Sequence, residues 1–195
     1  MKTNSRVYDS YAQAERVVKD LEAEDIPSSD ISLVANKYVS EQYAGVENLS
    51  EAGPGAGLGA VVGGGAGLLT GLGLLAIPGL GPVVAAGWLA TTALGAAAGA
   101  ATGGIIGALI DSGETEETAH VYSEAVRRGG TLVTVRSEDS ESETVQAILD
   151  QHSPIDPGTR KADYRSQGWT NFDPAAPAFK PTDTDVERMR RDYQS

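Results

Sequence analysis

Apolar and polar positions recur along the chain with two periods. They mark out a β-α-β unit, a long ion-free block and an α-β-α unit. Val7 and Tyr8 begin a short strand, and Ser10 opens a helix with Gln13 as its capping-box partner three residues on. Ala14, Val17, Val18 and Leu21 supply the apolar stripe of that helix at helical spacing. Pro27 and the Ser28-Ser29-Asp30 cluster stop it, and Ile31, Leu33 and Ala35 alternate as a second strand. Residues 36–51 predict a loop into the block. Beyond the block, Thr115 caps a helix through Arg128. Glu116 and Glu117 in its first turn and Arg127 and Arg128 in its last complement the helix dipole. Gly129 and Gly130 end it, and Thr131–Arg136 reads as the clearest strand. Ser140 and Glu143 form a second capping box, for a helix to about Gln151 that buries Val145, Ile148 and Leu149.

This order predicts an α+β fold. Its economical packing is a small ferredoxin-like (split βαβ) sheet with helices on one face. Residues 1–51 form the first half of that head and residues 111–153 the second. Residues 154–195 hold five of the nine prolines and predict a mostly irregular tail, with room for a short helix at Asp185–Tyr193. Within it Tyr164–Asp173 (YRSQGWTNFD) is aromatic enough to dock, on the edge of the core or on a partner.

The block between the halves, residues 52–110, runs for 59 residues without Asp, Glu, Lys or Arg and holds 18 of the 24 glycines. A stretch so free of charge needs cover, since ordinary soluble surfaces are roughly a quarter charged. Gly55, Gly59, Gly63, Gly67 and Gly71 recur at every fourth position. A second series follows at Gly87, Thr91, Gly95, Gly99, Gly103 and Gly107. That spacing places small residues along one side of a helix, and AIPGLGP between the series is turn chemistry. The expectation is a glycine-zipper α-helical hairpin whose grooves admit a neighbouring backbone. Glycine costs about 1 kcal/mol per helical position relative to alanine, so such arms need close packing or an apolar solvent. A flexible linker would not carry Leu68, Leu69, Leu72, Leu74, Leu75 and Ile77. Ala56–Ile77 and Val83–Ile110 are each long enough for a bilayer core of about 30 Å. The second arm, rich in Ala and Gly, would insert only weakly alone. Two outcomes follow: a hairpin whose arms insert together, or a soluble oligomer that buries its hairpins. The reading favours the membrane.

Composition removes several classes of function. With 27 acidic and 15 basic residues the net charge is −12, which argues against nucleic-acid binding. Cysteine is absent, excluding disulfides, thiolate zinc sites and a cysteine nucleophile. The polar opening MKTNSRVYDSYAQ does not read as a secretory signal. No P-loop lysine accompanies the glycines, no strand precedes Gly71–Ala76, and no serine stands in a nucleophile elbow. Glu116, His120 and Glu124 share one helix face and can be written as a divalent-cation site. The simpler reading is a solvated acidic face. His152 at a helix end complements the dipole. No catalytic residue, cofactor or metal is expected.

The opening VYDSYAQAERVVKDLEAEDIPSSDISLV, the glycine block and ALIDSGETEETAHVYSEAVRRGGTLVTVR together resemble bacterial general stress proteins with a heat-induced stress (17M-like) domain, and related glycine-zipper membrane proteins of unknown function. The resemblance covers about residues 5–150, and SQGWTNFDPAAPAF is similar to a segment that often follows. Its most specific stretch is His120-x-Tyr122 followed by Val126-Arg127-Arg128-Gly129-Gly130-Thr131. It implies a ferredoxin-like stress-response module without established catalytic residues. The resulting expectation is a non-enzymatic stress protein associated with the bacterial inner membrane, its head in the cytoplasm and its hairpin packed on lipid or on other copies. The alternatives are a soluble, cytoplasmic self-assembling scaffold and a small ligand- or metal-sensing domain.

Overall fold

A computed structural model describes residues 2–36, 73–77, 81–89 and 104–173, with residues 175, 176, 182, 184 and 187 of the tail. The elements run β1 (Lys2–Tyr8), α1 (Tyr11–Ala23), a 3-10 turn (Ser28–Asp30), β2 (Ile31–Asn36), β3 (Gly73–Ile77), β4 (Gly81–Ala86), α2 (Gly104–Asp111), α3 (Glu116–Arg127), β5 (Thr131–Ser137), α4 (Ser142–Gln151) and α5 (Pro157–Ser166). The fold is α+β. At its centre β5 lies between β1 and β2 and is antiparallel to both, so β1 and β2 run parallel and α1 joins them. β4 then pairs with the free side of β2, and β3 pairs with β4.

Local signals set most boundaries. The Ser10 side chain accepts from the Gln13 backbone and the Gln13 side chain accepts from Ser10, closing the expected box. Thr115 accepts from Thr118 N–H at the start of α3. At the end of α3, Gly130 N–H donates to Ala125 C=O and Gly129 N–H to Val126 C=O, with Gly129 at φ 110°. That Schellman geometry needs a left-handed residue, which glycine supplies without strain. The box written for Ser140 and Glu143 does not form. α4 starts at Ser142 without a side-chain cap, because the Glu141 carboxylate turns back to accept from Glu138 N–H.

Helices cover both faces of the sheet, where one was expected. On one face Tyr8, Ile31, Leu33, Ala35, Val133 and Val135 pack with Val17, Val18 and Leu21 of α1 and Val145 and Leu149 of α4. On the other, Val7, Val34 and Leu132 pack under α2, α3 and α5. All six residues of β2 are therefore buried and its expected alternation disappears, as in any strand roofed on two sides. The second roof includes the segment read as tail. Asp156 caps α5 by accepting from Thr159 N–H, Pro157 sits in the first turn, and Ile155, Tyr164 and Phe172 enter the core. Docking on the core edge is thus the outcome for Tyr164–Asp173, with a helix ahead of it; apart from Glu187, the helix expected at Asp185–Tyr193 lies outside the described residues.

The ion-free block departs furthest from expectation. Residues 73–77 and 81–86, expected at the inner ends of the two helical arms, are strands. Ile77 and Gly81 each precede a proline, which disfavours helical backbone there, and Val83-Val84 suits a pleated surface. The open side of β2 supplies the partner. Among the described residues, Gly104–Asp111 at the end of the second arm is helical as expected.

Gly87, assigned to helix packing, instead has φ 85° in the bend after β4. A Cβ there would lie 2.2 Å from Ile31 C=O and 2.5 Å from Ser32 Oγ. Gly87→Ala should therefore destabilise the fold by about 2 kcal/mol or more, strain and overlap adding, with the loss read from the urea midpoint.

Candidate functional site

Of the ten glycines expected to line helix grooves, only Gly87 and Gly107 fall among the described residues. Gly55, Gly59, Gly63, Gly67, Gly71, Gly95, Gly99 and Gly103 lie outside them. Gly107 is in α2 and half-buried, while the buried positions of that helix are Ile105, Ala108 and Leu109. What the structure does reveal of the block is its place in the sheet. β3, with sequence Gly-Leu-Leu-Ala-Ile, is the outermost strand, and no described strand pairs with its outer side.

The opposite edge is treated differently. Along the outer side of β1, Val7 C=O accepts from Ile155 N–H at 2.7 Å and Ser5 C=O from Arg6 Nη1 at 2.9 Å. Glu114 accepts from the Ser5 backbone and hydroxyl. Arg6 is held in turn by Asp150 at 2.8 Å. Charged side chains and a crossing segment thus occupy the backbone groups through which another strand would pair. Burial is the main cause that lifts the Glu114 carboxyl above its ordinary value. The same cause drives the Tyr122 hydroxyl up to about 12.

The candidate cation site is not assembled. His120 Nε2 stands 3.9 Å from Glu116, but Glu124 turns into the protein, 1% exposed. Its carboxylate accepts from Arg127 Nε and Nη2 at 2.8 and 2.6 Å and from Arg128 Nε at 2.6 Å. Helical spacing put the three residues in register; two arginines at i+3 and i+4 then outcompeted any shared ligand for Glu124. Among the described residues no group of three or more metal-capable side chains occurs. His152 contacts Asp20 at 2.7 Å across to α1, a pairing its position at a helix end did not reveal.

Sequence reading missed a cleft of about 510 Å³ between α3, α5 and the end of β1. Arg128 lies 4.3 Å over the Tyr164 ring and donates from Nη1 to Gln167 at 2.6 Å. Arg160 donates from Nη2 to Asp9 at 2.8 Å and also bonds the Tyr164 side chain. The available signal was Asp156-Pro157-Gly158-Thr159, a cap followed by a first-turn proline, inside a stretch whose prolines suggested irregular chain. A neighbouring hollow of about 550 Å³ holds His120, Trp169 and the Lys161–Glu117 ion pair.

Comparison with protein-family models, with curated proteins and with solved structures finds no match for this chain.

Two substitutions probe these features. Glu124→Gln should cost about 2–3 kcal/mol in denaturant unfolding, somewhat less than a fully buried pair, because both guanidiniums reach water. For Glu114, a folded value raised above 4.5 means that folding favours the protonated acid. That stabilisation is complete below pH 4.5 and fades as pH climbs through the raised value. Glu114→Gln stays neutral and retains an acceptor for Ser5, so its melting temperature should rise relative to the parent between about pH 4 and pH 7.

Proposed function

We propose that this chain is a non-enzymatic general stress protein whose α+β head presents the ion-free block as an assembly element, joining copies of the protein. The observation that carries the reading is the contrast between the sheet edges: β1 is closed by Glu114, Arg6 and Ile155, whereas β3 consists of apolar residues and glycine and has no described partner on its outer side. Natural sheets blunt edges that must not pair, and an uncharged edge strand is the form of a strand-pairing surface. Insertion of β5 between β1 and β2 supports the split βαβ, ferredoxin-like reading of the head. The small-residue series on either side of the strands supply further close-packing surface.

A second reading, attachment to the inner membrane with the head in the cytoplasm, draws on the 59-residue ion-free run. No helix among the described residues is long and apolar enough to cross a membrane. With β3 and β4 in the sheet, attachment through the block takes a shorter or re-entrant form rather than two complete spans.

Sedimentation velocity, alone and with phosphatidylethanolamine–phosphatidylglycerol vesicles, tests both. The parent should sediment as an assembly larger than one 20.2 kDa chain. Replacing Leu74 and Leu75 together by Lys should return it to the monomer with unchanged circular dichroism, since charge on an edge strand opposes pairing. A vesicle-bound parent supports attachment; a monomeric parent that ignores vesicles overturns both readings.

A further inference from the structure

The cleft between α3 and α5 plays no part in the assembly reading. Two guanidinium groups from two helices are arranged around one tyrosine. Arg128 stacks on the face of Tyr164, fixed by Glu124 through Nε and by Gln167 through Nη1. Among the described residues its Nη2 has no partner. Arg160 bonds the Tyr164 side chain and holds Asp9 at 2.8 Å. Both arginines are half-buried, with about 29% and 28% of each side chain exposed, while Asp9 is 64% exposed. Gly130 lines the same space, its turn pressed against β1 so closely that a Cβ would lie 3.1 Å from Tyr8 C=O.

Planar, prepositioned guanidinium groups are the usual receptors for oxyanions, because each presents parallel N–H donors. A carboxylate has two oxygens, and one Asp9 oxygen accepts from Arg160 Nη2 at 2.8 Å. A phosphate monoester has three terminal oxygens in a tetrahedron and can accept from both arginines together. Asp9 and Asp163 line the cleft and repel further negative charge, favouring a monoester over a polyphosphate. We propose that the cleft binds the phosphate group of a small phosphate monoester, held by Arg128 and Arg160, with Asp9 occupying Arg160 until the ligand displaces it. The volume of about 510 Å³ leaves room for a small organic body beside the phosphate.

The test is nuclear magnetic resonance titration of the intact protein with inorganic phosphate and with glycerol 3-phosphate, using acetate as comparator. Both phosphates should give saturable shifts at Gly130, Tyr164 and Gln167 and bind more tightly than acetate. Arg160→Gln should weaken binding about tenfold or more, as loss of a charged hydrogen bond does. Asp9→Asn removes the competing carboxylate and should tighten binding; a merely structural Asp9–Arg160 tie would leave affinity where it was. Cosedimentation with phosphatidic acid vesicles, lost in Arg160→Gln, would identify a lipid headgroup as the source of the same phosphate. Unsaturable shifts spread over the surface, or equal affinity in the parent and Arg160→Gln, would overturn the proposal.

Discussion

Everything in this fold depends on β5 reaching its place between β1 and β2. Strands from opposite ends of the head meet there in antiparallel register, Tyr8 facing Thr131 on one side and Ala35 facing Thr131 on the other. Hydrogen bonds alone would fix little, since a slipped register forms as many. The side chains decide it. A shift by one residue would carry Val133 and Val135 from the α1–α4 layer into the opposite layer and expose Leu132 to the wrong neighbours. Across the centre of the sheet runs a buried row of hydroxyls, with Ser5, Thr134 and Ser32 aligned. Thr134 Oγ1 donates to Ser5 Oγ, and Ser32 Oγ accepts from Leu89 N–H. The Thr134–Ser5 bond forms only in this alignment, so it penalises slippage as well.

Closing the head in this way determines what its two edges can do. The chain after β5 must turn over the sheet, and in doing so Ile155 seals Val7 on the β1 side. The other side is extended by β4 and β3, which belong to the ion-free block. The described strands of the block therefore extend the head's own sheet. Gly87 also serves the sheet: it lets the backbone turn within van der Waals reach of Ile31 and Ser32, where any side chain would collide.

Legibility in the sequence followed the range of the forces involved. Caps and terminators act within a few residues, so Ser10 with Gln13, Thr115 and the Gly129-Gly130 stop could be read directly. The stripe Ala14, Val17, Val18 and Leu21 was visible because a helix face repeats locally. Where a distant partner decides, local pattern misled. Four-residue glycine spacing pointed to helical arms running up to Ile77 and on from Val83, with a turn between, yet the open edge of β2 and two prolines made strand the better state at 73–77 and 81–86. β2 promised one exposed face because nothing local announces a second roof; that roof is α3 with α5, and α5 was hidden by the prolines around it. The Glu116–His120–Glu124 face failed for a similar reason. Spacing told which side chains share a face, but Arg127 and Arg128 determined which way Glu124 turned.

Charge then constrains how copies can meet. Each chain carries −12, and Arg6, Arg127, Arg128, Arg136, Arg160 and Lys161 are already paired with carboxylates of their own chain. Few of these cations are left to bridge to a neighbour's acids, so two heads brought face to face repel. Screening limits that repulsion to a Debye length of about 8 Å at physiological ionic strength. The two outer strands β3 and β4 carry no charge and set β2 two strand spacings, roughly 10 Å, in from the outer edge of the sheet. Contact through β3 would therefore place an uncharged margin wider than the screening length between the acidic halves. The same margin explains why closing β1 with ions and leaving β3 without them is a consistent design: pairing at β1 would press acidic surfaces together, whereas pairing at β3 keeps them apart.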